Sequence, residues 1–139
     1  MPHSYNKIWV HALWGTKHRD HLISTGLEKM LYKWLYEKFT SLNCPARIIN
    51  GMPDHIHCLF HLDESITLAD VIRHVKAGSA HYINGLDLFS WKFAWQIGYA
   101  AYSVSESQFD AVYHYIKNQK THHKKQSFPE EYNAYLAKH

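Results

Sequence analysis

Two histidines flanking one aliphatic residue, His55-Ile56-His57, stand at the head of the apolar run Cys58-Leu59-Phe60. In an extended strand successive side chains point to opposite faces, so His55 and His57 share a face while Ile56 and Cys58 take the other. Their Cα atoms would lie about 6.6 Å apart, close enough for both imidazoles to converge on one divalent ion. Asp54, immediately before the strand, could orient one imidazole through its second ring nitrogen. Far along the chain, Tyr115 and Gln119 are four residues apart, which on a helix puts them on one face a turn apart. His122 continues that face. Neither group is diagnostic alone. A His-x-His pair in a chain with 13 histidines can be structural or accidental, and Tyr-x-x-x-Gln can be a partly buried aromatic beside a solvated amide.

Composition sets the frame. A chain of 139 residues, 46% apolar and 15% aromatic, fits one folded domain over 1–139 and excludes a disordered chain. No apolar run approaches the roughly 18 residues of a membrane span, and Met1-Pro2-His3-Ser4-Tyr5 lacks a signal-peptide layout. The two cysteines, Cys44 and Cys58, form no paired motif, so a cytoplasmic location is expected. A net charge of +3 and a pI of about 8.8 suit nucleic acid, and suit many ordinary enzymes equally.

The elements that must position these residues follow from periodicity. Lys7 to Trp14 reads as a strand with Ile8, Val10, Ala12 and Trp14 on one face and Trp9 and Leu13 on the other, hence central and covered on both sides. A polar, basic loop, Gly15 to Asp20, follows. Thr25-Gly26 opens a helix with Leu27, Met30, Leu31, Trp34, Leu35 and Leu42 at helical spacing, stopped by Pro45. Ala46 to Asn50 is a short strand, Gly51 to Asp54 a turn, and His55 to Leu62 a strand whose far face carries Ile56, Cys58, Phe60 and Leu62. His61 shares the near face, but about 13 Å from His57 it is out of reach of a common ion and reads as exposed.

Ser65 or Thr67 caps a second helix, with Leu68, Val71, Ile72, Val75 and Tyr82 inward and Arg73, His74 and Lys76 outward. A fourth strand lies within Trp91 to Ser105, interrupted at Gly98. Ser105 or Ser107 caps a third helix that includes Val112, Tyr115, Ile116 and Gln119. Lys120 to Lys125 is a basic end, and Pro129 opens a short terminal helix. The order β-α-β-β-α-β followed by helices predicts an α+β, ferredoxin-like antiparallel sheet with the histidine strand beside the first. That fold does not itself name a function. Lys17, Arg19, Arg73 and Lys76 are candidate phosphate contacts, or parts of a solvated face.

Taken together, Gly51-Met52-Pro53-Asp54-His55-Ile56-His57, Trp95-Gln96-Ile97-Gly98-Tyr99, Tyr102-Ser103-Val104-Ser105 and Tyr115-Ile116-Lys117-Asn118-Gln119 with His122-His123 resemble the single-tyrosine HUH transposases. These are the insertion-sequence-200-type enzymes and their repeat-associated tyrosine transposase relatives. The likeness runs from about Tyr5 to the C-terminal helix. It implies the HUH endonuclease fold and a homodimer that cuts and rejoins single-stranded DNA beside hairpins. By the same resemblance a divalent metal, Mg²⁺ or Mn²⁺, is held by His55, His57 and Gln119. Tyr115 is then the nucleophile, giving a 5′-phosphotyrosine, in the same chain or in the partner. No role carries over to His122 or His123.

Two imidazoles and an amide oxygen suit Mn²⁺, with Mg²⁺ the oxygen-preferring alternative. Tyr113 lies about 200° around the helix from Tyr115 and cannot share Gln119's face. Two rivals remain: a domesticated hairpin-DNA-binding protein that no longer cuts, and a small metal-dependent hydrolase using water.

Overall fold

The computed structural model describes residues 4–122. Four strands, β1 (Trp9–Gly15), β2 (Ala46–Met52), β3 (His55–His61) and β4 (Ala100–Val104), form an antiparallel sheet in the order β2-β3-β1-β4. Helices α1 (Thr25–Ser41) and α2 (Leu68–Gly85) cover one face, and α3 (Glu106–Lys117) with the single-turn α4 (Gln119–His122) lies over the other. The ferredoxin-like order and the placement of the histidine strand beside β1 are as expected.

Alternation along the central strands builds two unequal cores. Val10, Ala12 and Trp14 of β1 and Ile56, Cys58 and Phe60 of β3 meet the stripes Leu27, Leu31, Leu35, Phe39 of α1 and Val71, Ile72, Val75, Ile83 of α2. The opposite face has a smaller cluster, in which Leu13, Ile48 and Leu59 pack under Val112 and Ile116 of α3. Helix starts are fixed by side-chain caps. Ser24 Oγ accepts from Leu27 N at 3.2 Å, and Thr67 Oγ1, not Ser65, accepts from Asp70 N at 3.1 Å. Asn43, at φ 59, turns the chain out of α1 ahead of Pro45.

Several boundaries differ from the sequence expectation. The first strand begins at Trp9 rather than Lys7, because Trp9 is the first residue paired on both sides, with His61 and Val104. The second strand continues to Met52, which pairs with His55 across the two-residue turn Pro53-Asp54. The fourth is short: Gly98, at φ 93, breaks the run, and before it only Trp95 bridges to Thr16. Ser105 stands at the N-cap of α3 without a side-chain capping bond, its hydroxyl meeting that of Ser107 at 3.0 Å. Helix α3 ends at Lys117, so Gln119 opens α4 instead of continuing the Tyr115 helix. His123 and the helix expected from Pro129 lie outside the described residues. No described helix is long and apolar enough to cross a membrane.

The β2–β3 turn is sterically committed to glycine. A Cβ on Gly51 would run into the carbonyl oxygen of His55 and lie 2.8 Å from the Cα of Ile56, and neither backbone atom can yield. Gly51→Ala is therefore expected to lower stability by about 1–3 kcal/mol, read as a fall in the urea midpoint. An unchanged midpoint would contradict the close approach.

Candidate functional site

Strand register sets the first half of the site. Gly15 pairs with His55 and Leu13 with His57, so Trp9, His11 and Leu13 share the histidine face. The second half is brought in by β2. Asn50, paired with His57, donates through Nδ2 to the carbonyls of Ile116 and Lys117 at 3.0 Å each. Those carbonyls lie in the last turn of α3, where the helix's own donors run out, so Asn50 pins the helix end over the histidines. Lys120 Nζ donates to Asn50 Oδ1 at 3.0 Å and Gly51 O at 2.8 Å, and pairs with Glu28 at 3.0 Å. Between these anchors the chain breaks at Asn118 and turns Gln119 inward.

Four groups from β3 and the α3–α4 segment thereby converge. His55, His57, Tyr115 and Gln119 are 1%, 0%, 6% and 0% exposed. His55 Nδ1 is 2.7 Å from Asp54 Oδ1, and Asp54 Oδ2 accepts from Arg19 Nη2 at 3.0 Å. Burial alone would raise the Asp54 pKa, but the hydrogen bond and charge of His55, together with Arg19, outweigh it and hold the carboxyl at about 2. This carboxylate assigns the ring proton to His55 Nδ1. His55 Nε2 then faces Gln119 Oε1 at 3.4 Å, and Gln119 Nε2 donates to Tyr115 O at 3.4 Å.

The His57 ring lies 5.2 Å from that of His55 at 77°. Its Nδ1 is 2.9 Å from Nε2 of His11, a residue 1% exposed. Burial pushes the His11 pKa down to about 3, so this imidazole is neutral at physiological pH. The Tyr115 ring stands edge-on to His57 at 5.6 Å and to His11 at 6.2 Å. Tyr113 points elsewhere, its ring beneath the Arg47 guanidinium at 4.9 Å.

The loop that delivers Arg19 is strained and firmly tied. His18 and Arg19 sit at φ 58 and 57, a left-handed conformation that non-glycine residues adopt at a cost. Thr16 Oγ1 donates to Asp20 O at 2.5 Å and lies 3.2 Å from Asp54 O, and Gln96 Oε1 accepts from His18 N at 3.1 Å.

Thus His55, His57, Tyr115 and Gln119 come together, and a buried Gln119 excludes the solvated-amide alternative. His61 does not join them. It is half-buried rather than exposed, packed on Trp9 at 5.6 Å with its Nε2 2.9 Å from Asn6 O. Of the four basic residues, Lys17 is exposed, Arg19 is tied to Asp54, and Arg73 is exposed beside Asp70 at 3.2 Å. Lys76 donates to Gln96 O at 2.8 Å and Gly98 O at 2.7 Å. Sequence reasoning passed over His11, Asn50 and Lys120. Alternation puts His11 on the face of Trp9 and Leu13, which was the available signal; Asn50 and Lys120 carried none.

Among the described residues no group of three or more His, Cys, Asp or Glu side chains is placed to hold a metal. The candidate set is smaller and of mixed chemistry. With its Nδ1 proton directed at the Asp54 carboxylate, a neutral His55 presents its Nε2 lone pair toward the Gln119 oxygen, another acceptor, and a shared divalent cation fits between such groups.

The pKa shifts predict an acid response of the metal-free protein. His11 titrates at about 3 when folded against 6.5 for a solvated imidazole, so below 6.5 the unfolded chain takes up the proton first. The contribution of neutral His11 is full above pH 6.5 and falls as pH drops toward 3. Asp54, at about 2 against 3.8, adds a loss only below 3.8. His11→Gln is expected to flatten the stability profile between pH 6.5 and 3.8, measured by urea unfolding. Parallel profiles for the two proteins would contradict the buried neutral imidazole.

Residues 4–119 match the family model for IS200-like transposases. The fold resembles a candidate transposase from Deinococcus radiodurans R1, with a TM-score of 0.67 and 23% identity over 86% of this chain and 95% of that one. It also resembles a REP-associated tyrosine transposase bound to a REP hairpin, with a TM-score of 0.64 and 17% identity over 89% and 73% of the two chains. At these identities the structural likeness carries the fold alone. No curated protein sequence matches the chain. The family match takes in both histidines, the tyrosine and the glutamine, and the chain belongs to the IS200-like transposase family.

Proposed function

We propose that this family member is a metal-dependent transposase that cuts and rejoins single-stranded DNA beside hairpins through a 5′-phosphotyrosine at Tyr115. One observation carries the reading: β3 and the α3–α4 segment bring His55, His57, Gln119 and Tyr115 into one buried cluster. The hairpin bound by one structural relative agrees with the substrate class. His55, His57 and Gln119 would hold the ion, Mg²⁺ or Mn²⁺. A bound divalent ion neutralises and orients the scissile phosphate.

The chain's own residues supply the rest. Asp54 and His11 fix the two imidazoles through their Nδ1 atoms. Tyr115, held edge-on to His57, attacks phosphorus. A bond forms between the phenolic oxygen and phosphorus, and the bond from phosphorus to the 3′ oxygen breaks. The phenol gives up one proton and the departing 3′ oxygen gains one. The ester bond is exchanged rather than lost, so a 3′-OH can reverse the step without ATP. The cluster is assembled within one chain, which supports attack in cis. A homodimer, pairing through the edge strands β2 or β4, is part of the same reading.

The burial of all four groups favours one alternative, a hairpin binder that does not cut, since a phosphodiester reaches Tyr115 only if the cover over the histidines opens. Tyr115→Phe decides between them. With Mn²⁺ and a labelled single strand spanning a hairpin-forming repeat from DNA flanking the gene, wild type should form a denaturation-resistant adduct on the 5′ side of the cut. The variant should bind that strand about as well and form none, while Tyr113→Phe still reacts. Cleavage without any adduct would favour the hydrolase, and tight binding without cleavage the domesticated binder.

His57→Ala tests the metal. Titration calorimetry should show Mn²⁺ binding weakened by at least about tenfold, with the circular dichroism of a folded protein retained. Full Mn²⁺ affinity in this variant would remove His57 from the ligand set.

A further inference from the structure

A groove of about 670 Å³ runs between α2 and the segment 92–99, on the α1/α2 side of the sheet. Its floor is α2, where Ala69, Ala77 and Ala80 keep the helix surface low beside Ile72. Its wall is held rigidly. Asn84 makes two hydrogen bonds to the backbone of Phe93, at 2.8 and 3.0 Å, and Trp95 Nε1 donates to Ser79 Oγ at 2.9 Å. Lys76 ties down the carbonyls of Gln96 and Gly98. The groove is therefore formed before any ligand arrives.

Its chemistry is one-sided. Among the described residues, Arg73, Lys76 and Lys92 line it with His81, and no carboxylate does. Lys92 is exposed at the rim, Arg73 is exposed there beside Asp70 at 3.2 Å, and Lys76 is turned to the carbonyls of the wall. The wall also shows apolar and aromatic surface to solvent, with Ile97 96% and Tyr99 43% exposed. A cationic rim over an aromatic and aliphatic lining matches a strand whose phosphates and base faces are both accessible. A duplex, with its bases already stacked, has nothing to offer the apolar lining.

The groove also joins the buried cluster through the β1 end. Gln96 N donates to Gly15 O at 2.8 Å and Lys17 N to Ala94 O at 3.0 Å, while Gly15 pairs with His55. Wall and histidines thus flank one end of the sheet, separated by the loop that carries Lys17 and Arg19.

We propose that this groove binds unpaired nucleotides of single-stranded DNA flanking the hairpin, with bases against Tyr99 and Ile97 and phosphates on Arg73 and Lys92. This rests on DNA being the substrate and specifies which part of it the groove reads. The test is fluorescence anisotropy with three probes: a hairpin carrying a ten-nucleotide unpaired flank, the same hairpin blunt, and a plain duplex. Wild type should prefer the flanked hairpin. Tyr99→Ala with Ile97→Ser, at exposed positions where circular dichroism should be unchanged, should weaken the flanked hairpin by roughly tenfold and leave the blunt one unaffected. Lys92→Gln should lower the salt dependence for the flanked probe only. Equal affinity of wild type and variants for the flanked hairpin would overturn the groove assignment and leave the DNA reading intact. So would equal weakening for flanked and blunt probes. Failure of wild type to bind any probe would overturn both.

Discussion

Two imidazoles lie under a helix on the smaller core of the sheet, and their ring nitrogens must be satisfied there. A buried polar group left without a hydrogen bond costs on the order of 1–3 kcal/mol, so each histidine constrains its surroundings. His55 requires Asp54 at the turn before β3, and Asp54 draws in Arg19. Arg19 reaches it from a loop whose left-handed residues are held by Thr16 and Gln96. His57 requires His11, which burial keeps neutral. The charged partner stands at the rim and the neutral one deep in the sheet. That is the order desolvation dictates.

The two faces of the sheet divide the work. The α1/α2 face carries the larger of the two apolar clusters. The α3 face has only a modest apolar cluster, and it is completed by polar anchors, Asn50 and Lys120, at the end of the helix. Hydrogen bonds to a helix end fix its position with little buried area. A cover fastened in this way can be displaced without dissolving the main core, whereas one bound by a large apolar interface could not.

Much of this was legible in the chain because it rests on local periodicity. The His55-Ile56-His57 alternation and the stripes of α1 and α2 follow from side-chain direction within one element, and the turn expected over Gly51 to Asp54 follows from its turn residues, though Gly51 and Met52 still pair in β2. What escaped depended on relations between elements. His11 acquires its meaning only when β1 lies beside β3 in the register that turns it toward His57. Asn50 acquires its meaning only when α3 ends above β2. The break at Asn118 has no glycine or proline to announce it; it follows from Gln119 being drawn into the sheet face. Lys76, one of a basic group on α2, turned inward because the carbonyls around Gly98 needed donors.

Burial of the tyrosine bears on which chemistry the proposed site could run. A phosphotyrosine keeps the energy of the broken strand only while water is kept from it, because hydrolysis would release the end irreversibly. A hydrolase has the opposite need, a held water beside the phosphorus. Tyr115 at 6% exposure, edge-on to His57 and enclosed with Gln119, lies in a setting that excludes bulk water. On the proposed reading, exclusion of water and slow admission of DNA are one property. The cover that delays the phosphodiester also preserves the covalent intermediate until a 3′-OH returns to reclaim it.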